Sequence, residues 1–198
     1  MIRSALLPVL LAAAPAVALA QASDPAIPTI QAFDGALVET MKVGKSIGAE
    51  GRFRKLTPAV ERTFDIPLMT RIAVGPAWAG YSAADQAALV KAFGRLTAAN
   101  LAHNFDSYDG EQFKIDPAVQ TRGPDKLVKT QLIPKSGAPT DLNYRMREAG
   151  GVWKVIDVYF GAISQLTAQR SDFASSATPG GAKVLAQKIN IQADKLLK

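Results

Sequence analysis

Apolar residues recur at helical spacing through the first half of the chain and at alternating spacing through much of the second. From Thr29 to about Ile47, residues Ile30, Phe33, Leu37, Val38 and Met41 share one helical face. Gly44, Gly48 and Gly51 loosen the end of that helix. Thr57-Pro58 predicts the start of a second helix, with Thr as cap and Pro in the first turn, ending before Pro67. Leu68 to Val74 predicts a short helix closed by Gly75-Pro76. Ser82 predicts the cap of the longest helix, with Asp85 at the third position. Leu89, Val90, Phe93, Leu96, Leu101 and Phe105 form its apolar stripe.

After Gly110 the period changes to two. Gln112 to Ile115 predicts one short strand. Lys126 to Ile133 predicts another, with Val128, Thr130 and Leu132 on one face. A turn at Ser136 to Pro139 follows. Leu142, Tyr144 and Met146 then alternate with Asn143, Arg145 and Arg147, and Gly150-Gly151 supplies a hairpin turn. Val152 to Phe160 is rich in Val, Ile and aromatics, which suits a strand covered on both faces. Two helices close the chain, Ala162 to Ala174 and Ala182 to Leu197, separated by Thr178-Pro179-Gly180-Gly181. Helices first and consecutive strands later argue for an α+β fold, with N-terminal and C-terminal helices on one face of a mainly antiparallel sheet.

The ends change the picture of where this domain works. Arg3, the apolar run Ala5 to Leu19 and the small-x-small end Ala18-Leu19-Ala20 predict an export signal over residues 1–20, cleaved after Ala20. Pro8 and Pro15 interrupt the run, which argues against a membrane anchor. Residues 21–198 are then expected to form a single domain. The chain has no cysteine, which removes disulfides, thiolate metal sites and a lipid-modified N-terminus together. Without Arg3 the chain carries 22 basic and 17 acidic residues, a net charge of +5. The basic residues are scattered, so nucleic acid is not an expected partner. Attraction to anionic lipid headgroups or to an acidic partner surface is expected.

Three constellations could carry chemistry. Gly44-Lys45-Ser46 lacks the Gly that a phosphate-binding loop needs five positions earlier, where Glu39 stands. His103 is the single histidine, and no Gly-x-Ser-x-Gly elbow accompanies it, so neither a hydrolytic triad nor a zinc site is expected. Asp157 lies between Ile156 and Val158 in a strand that reads as buried, where a carboxylate is costly unless paired. It reads as a structural ion pair with Arg145, Arg147 or Arg170, or as a cap for the helix starting near Gly161. Its alternative is a general base of an isomerase-type cavity enzyme, with Tyr144 as oxyanion partner.

The motifs Tyr144-Arg145, Gly151 to Val158 (GVWKVIDV), Gly161-Ala162-Ile163-Ser164 and Arg170 to Phe173 occur in that order. Upstream stand Phe64-Asp65-Ile66, Val74-Gly75, Trp78 and the stretch Asn104 to Glu111. Together they resemble the periplasmic lipid carriers of the MlaC and toluene-tolerance type. The short GAIS start and the FDSYDGE join are similar to the hopanoid-associated branch of that family. The resemblance implies a curved sheet and helices enclosing an apolar cavity, a carrier that is not an enzyme, and no cofactor beyond lipid as cargo. It implies a phospholipid or hopanoid ligand. It implies an inner-membrane transporter complex and an outer-membrane lipoprotein complex as partners, in maintaining outer-membrane lipid asymmetry. The carrier is expected to act as a monomer in the periplasm.

The physics of such cargo is severe. A two-chain lipid carries roughly thirty methylenes, and shielding them at about 0.8 kcal/mol each is worth on the order of 20 kcal/mol. The expected cavity therefore reaches or exceeds the usual range of ~300–1,000 Å³. An empty cavity of that size destabilises its host, so the unloaded form is expected to collapse in part. From the apolar faces above, the expected tail contacts are Leu68, Ile72, Trp78, Phe93, Leu96, Leu132, Tyr144, Met146, Trp153, Val155 and Ile163.

Overall fold

The computed structural model of the protein describes residues 23–198. The leader expected over residues 1–20 lies outside the described residues. The first long element, α1 (Ile27–Thr63), carries Pro28 in its first turn, where the missing N–H has no helical partner to lose. It is broken at Gly48, whose φ of 64° and ψ of 179° are outside the helical region. The helix resumes at once after Gly48, so the second start expected at Thr57-Pro58 does not occur. Thr57 instead donates its hydroxyl to the Phe53 carbonyl at 2.8 Å, and Pro58 lies inside the helix. Pro58 and Arg54, whose carbonyl loses its usual donor, are both exposed, so water can fill the gap.

Helix α2 (Ile66–Val74) starts two residues earlier than expected. Pro67 sits in its first turn, and Asp65 caps it by accepting from Leu68 N–H at 3.0 Å. A 3₁₀ turn over Gly75–Gly80 leads to α3 (Ala83–Asn104). Ser82 caps α3 as expected: its Oγ accepts from Asp85 N–H at 3.1 Å and donates to Asp85 Oδ2 at 2.7 Å.

The strands are β1 (Gln112–Ile115), β2 (Gln120–Arg122), β3 (Asp125–Val128), β4 (Thr130–Ile133), β5 (Thr140–Ala149), β6 (Val152–Phe160) and β7 (Ile163–Ser164). They form one mainly antiparallel sheet around β5. One edge of β5 pairs with β3 and β4, which lead on to β2 and β1, and the other pairs with β6, then β7. The single strand expected over Lys126 to Ile133 is divided at Lys129. Its register on β5 continues across the division, from Val128 opposite Tyr144 to Leu132 opposite Thr140. At the gap the Lys129 carbonyl accepts from Asp116 N–H at 2.9 Å, and Thr130 N–H donates to Asn143 Oδ1 at 3.2 Å.

The β5–β6 hairpin turns at Gly150 and Gly151, with φ of 61° and 83°. Two consecutive left-handed residues are what a tight twisted hairpin demands, and glycine supplies them without strain. Farther along, Arg145 faces Asp157 while Met146 faces Val155, so Ile156 is an extra, bulged residue. Val155, Ile156 and Asp157 are consequently all buried.

Helix α4 (Gln165–Phe173) begins later than expected, because β7 takes the residues after Gly161. Helix α5 (Ala182–Leu196) packs along α3. The α1–α2 junction is tied to the sheet by a parallel bridge between Phe64 and Val155 and by Asp65 N–H donating to the Val155 carbonyl at 2.9 Å. One continuous hydrophobic core joins helices and sheet. At its centre Phe33 meets Phe64 edge-on at 5.1 Å and Tyr144 edge-on at 6.1 Å.

Candidate functional site

The tie between the α1–α2 junction and β6 leaves a pocket of about 570 Å³ between that junction, α3 and the end of the β5–β6 hairpin. Phe53, Val60, Phe64, Ile66, Pro67, Val90 and Ala149 form apolar walls. Gly94 on α3 faces Ile66 of α2, whose Cγ2 would stand in ordinary contact, 3.4 Å, with a Cβ at that position. Lys91, Arg95, Lys154, Glu61 and Asp65 complete the lining. Arg95 is engaged by Asp194 at 2.7 Å, and Asp65 by the α2 cap. Lys154 donates to the Glu61 carbonyl at 3.4 Å. Among the described residues neither Lys91 nor Lys154 forms an ion pair. An apolar bed with two lysines outside any ion pair, and the Glu61 carboxylate on the same lining, can hold an amphiphile, chain inward and polar group at the rim. The volume lies within the range typical of small-ligand sites, ~300–1,000 Å³.

A second feature lies deeper. Asp34 is 5% exposed on the core face of α1, flanked there by the buried Ile30, Phe33 and Leu37. Tyr144, 1% exposed on β5, donates its hydroxyl to Asp34 Oδ1 at 3.3 Å. Asp34 Oδ2 is buried with no partner. Burial raises the Asp34 carboxyl to about 7, against the opposing hydrogen bond from Tyr144. Burial, together with the adjacent acid, pushes the Tyr144 hydroxyl well above its ordinary range.

Asp157 is different. Its Oδ1 accepts from Leu166 N–H at 3.0 Å and its Oδ2 from the Ser164 hydroxyl at 2.6 Å. Ser164 Oγ in turn caps α4 by accepting from Thr167 N–H at 3.0 Å. Asp157 is thus a cap at a helix start, one of the two structural roles its sequence position suggests. Arg145 and Arg147 bind Asp125 instead, through their Nε atoms at 2.7 and 2.6 Å. Burial would raise Asp125, but the two guanidiniums outweigh it and hold the carboxyl below its ordinary value. Tyr144 serves Asp34, so no Asp157–Tyr144 pair of base and oxyanion donor is assembled.

The expected tail contacts fall into three groups. Phe93, Leu96, Tyr144, Met146 and Val155 are buried in the core. Leu68, Ile72, Trp78, Leu132 and Trp153 are half-buried against it. Ile163 stands 64% exposed on β7. None of these residues lines the 570 Å³ pocket; their neighbours do, Val90 and Gly94 on α3 and Phe64 and Ile66 beside Leu68. The sequence does carry signals for these neighbours. Val90 belongs to the apolar stripe of α3, and Phe64-Asp65-Ile66 is one of the motifs that carry the family resemblance.

The remaining candidates are structural. His103 is exposed near the end of α3. Gly44-Lys45-Ser46 lies within α1, and a Cβ on Gly44 would collide with the Asp106 carbonyl oxygen, so close packing requires this glycine. No group of metal-ligating side chains occurs among the described residues, and none of their helices is long and apolar enough to cross a membrane.

Comparison with known proteins follows the same line. Among curated proteins none matches the chain. Among solved structures, a phospholipid-binding protein from Ralstonia solanacearum, determined in complex with a phospholipid, superposes with a TM-score of 0.75 at 19% identity. The match covers 88% of this chain and all of that one, which establishes the shared fold. The family profile described as MlaC protein matches residues 31–190, spanning α1 through most of α5. The chain belongs to the MlaC protein family.

Proposed function

We propose that this protein is a periplasmic lipid carrier, exported by its leader and shuttling lipid between an inner-membrane transporter complex and an outer-membrane acceptor. The observation that carries this reading is the apolar pocket at the helix–sheet edge with Lys91 and Lys154 free of ion pairs beside it. It occurs in an MlaC-family chain whose fold is shared with a phospholipid-bound protein. The pocket would seat part of a lipid and leave its anionic group at the rim. Both chains of a glycerophospholipid need more room than this, so loading would widen the seam between α1 and the sheet. The residues then meeting the tails would be the core group around Phe93, Leu96, Tyr144, Met146 and Val155, with Leu68, Ile72, Trp78, Leu132 and Trp153 behind them. The carrier itself would perform no chemistry, in keeping with Asp157 being consumed as a cap.

The test is direct. Exported protein purified gently, without detergent, should yield extractable lipid at close to one molecule per chain by denaturing mass spectrometry. Protein that emerges lipid-free, and takes up none from phospholipid vesicles, would end the carrier reading.

A further inference from the structure

The Asp34–Tyr144 pair is an anomaly in an otherwise apolar seam. A carboxyl that is 5% exposed, with one oxygen lacking any partner, costs stability that packing must offset. An apolar pair at positions 34 and 144 would join α1 to the sheet with no polar group to satisfy. The pair also has a physical connection to the pocket. Phe64 lines the pocket, its ring meets Phe33 at 5.1 Å, and Phe33 meets Tyr144 at 6.1 Å. Three edge-on rings in series therefore stand between the pocket and the Asp34–Tyr144 hydrogen bond, which lies on the seam that loading would widen.

We infer that Asp34 and Tyr144, once loading widens the α1–sheet seam, form a polar subsite for the hydroxyl group of an uncharged lipid alcohol. The inference rests on the carrier reading and adds to it the class of ligand group that this position selects. Three groups could be offered to a buried carboxyl. A phosphate would be repelled by it when charged, and it fits the Lys91 and Lys154 rim instead. An ammonium would need acceptors for three N–H donors and a full carboxylate, whereas the seam offers one empty oxygen and Asp34 is only half ionised near pH 7. A hydroxyl both donates and accepts, so it can fill the empty oxygen of Asp34 in either protonation state. The surroundings of Ile30, Phe33 and Leu37 suit the apolar body that carries such a hydroxyl. Lipid alcohols of this kind include diacylglycerols and long-chain fatty alcohols.

The experiment measures displacement of a fluorescent phospholipid from the full exported chain. Dioleoylglycerol and oleyl alcohol are each compared with their methyl ethers, which keep the oxygen and the bulk but remove the donor. At pH 8, where Asp34 is mostly ionised and only a donor can fill its empty oxygen, the expected result for the wild type is about tenfold or more tighter binding of one or both alcohols than of the matching ether. Which alcohol shows the preference distinguishes a glycerolipid from a simple fatty alcohol. Asp34→Leu should bring the preference to within about twofold, each alcohol being compared with its own ether on the same variant. Wild-type protein that binds alcohol and ether equally, with phospholipid still bound, overturns the subsite and leaves the carrier reading standing. An Asp34→Leu variant that keeps the preference overturns the subsite in the same way. Should neither the phospholipid nor the alcohols bind, both readings fall together. If Asp34→Leu does not fold, the alcohol-to-ether ratio of the wild type decides alone.

Discussion

Two buried acids in this molecule have opposite surroundings. At the β6–α4 join, Asp157 has both oxygens occupied by donors within nine residues along the chain. At the α1–sheet seam, Asp34 shares one long hydrogen bond with a partner 110 residues away and leaves its second oxygen bare. Burial is nearly the same, 4% against 5% exposure. Satisfaction therefore separates them, not depth. A saturated carboxylate is a fastener, because a ligand could only displace bonds already made. An unsaturated one lowers stability in the empty protein and gains when something polar arrives. Asp125 belongs with the fasteners: it is deeply buried, but two arginines grip it.

The largest test of this contrast is Asp157→Ala. It strands Leu166 N–H, releases Ser164 and weakens the start of α4. The expected cost is about 3 kcal/mol in urea unfolding. Lipid content per folded molecule should not change. Retained stability with lost lipid would instead place Asp157 in the site and dissolve the contrast.

The next effect is of similar size and has a pH signature. Asp34 holds its proton more tightly in the folded protein than in the unfolded chain, where its carboxyl titrates near 3.8. Its contribution to stability is full below that value and is lost as pH rises through about 7. Asp34→Asn removes this titration while keeping size and an acceptor for Tyr144. The variant should match the wild type at pH 4 to within about 0.5 kcal/mol and exceed it by about 4 kcal/mol at pH 8. Parallel unfolding curves at the two pH values check it. A constant offset between them would mean that Asp34 ionises as it does in water.

These two acids also show what can be read from the chain. The hairpin, the Ser82 cap and the final helix are legible because their causes are local: alternation, a capping residue and glycine turns. The cap role of Asp157 is available for the same reason, since its partners are near neighbours. Asp34 is legible in principle, four residues after Ile30 and three before Leu37 within an apolar stripe. Its partner Tyr144 is not, because nothing local links α1 to β5. β2 is three residues long and offers no period to detect. The break in α1 is visible as glycines, but Pro58 suggests a start where solvent access simply tolerates a proline. The pocket is the least legible part. Its walls run from Phe53 to Lys154, and periodicity shows which face turns inward without showing whether a side chain or a gap meets it.

The smallest test turns one acid toward the other. Ser164→Ala removes the donor to Asp157 Oδ2 and the acceptor for Thr167 N–H, leaving Leu166 N–H in place. Loss of a cap hydroxyl and one charge-assisted bond should cost about 1–2 kcal/mol. Ser164 is only half-buried, so water can reach the vacated oxygen and keep the loss near the lower figure. Because Asp157 keeps the Leu166 N–H donor and gains solvent, the cost in urea unfolding should stay well below that of Asp157→Ala. If Ser164→Ala costs as much as Asp157→Ala, one missing donor is enough to turn Asp157 into a second Asp34. Hydrogen bonding alone, rather than the dryness of the α1–sheet seam, would then account for the difference between the two acids.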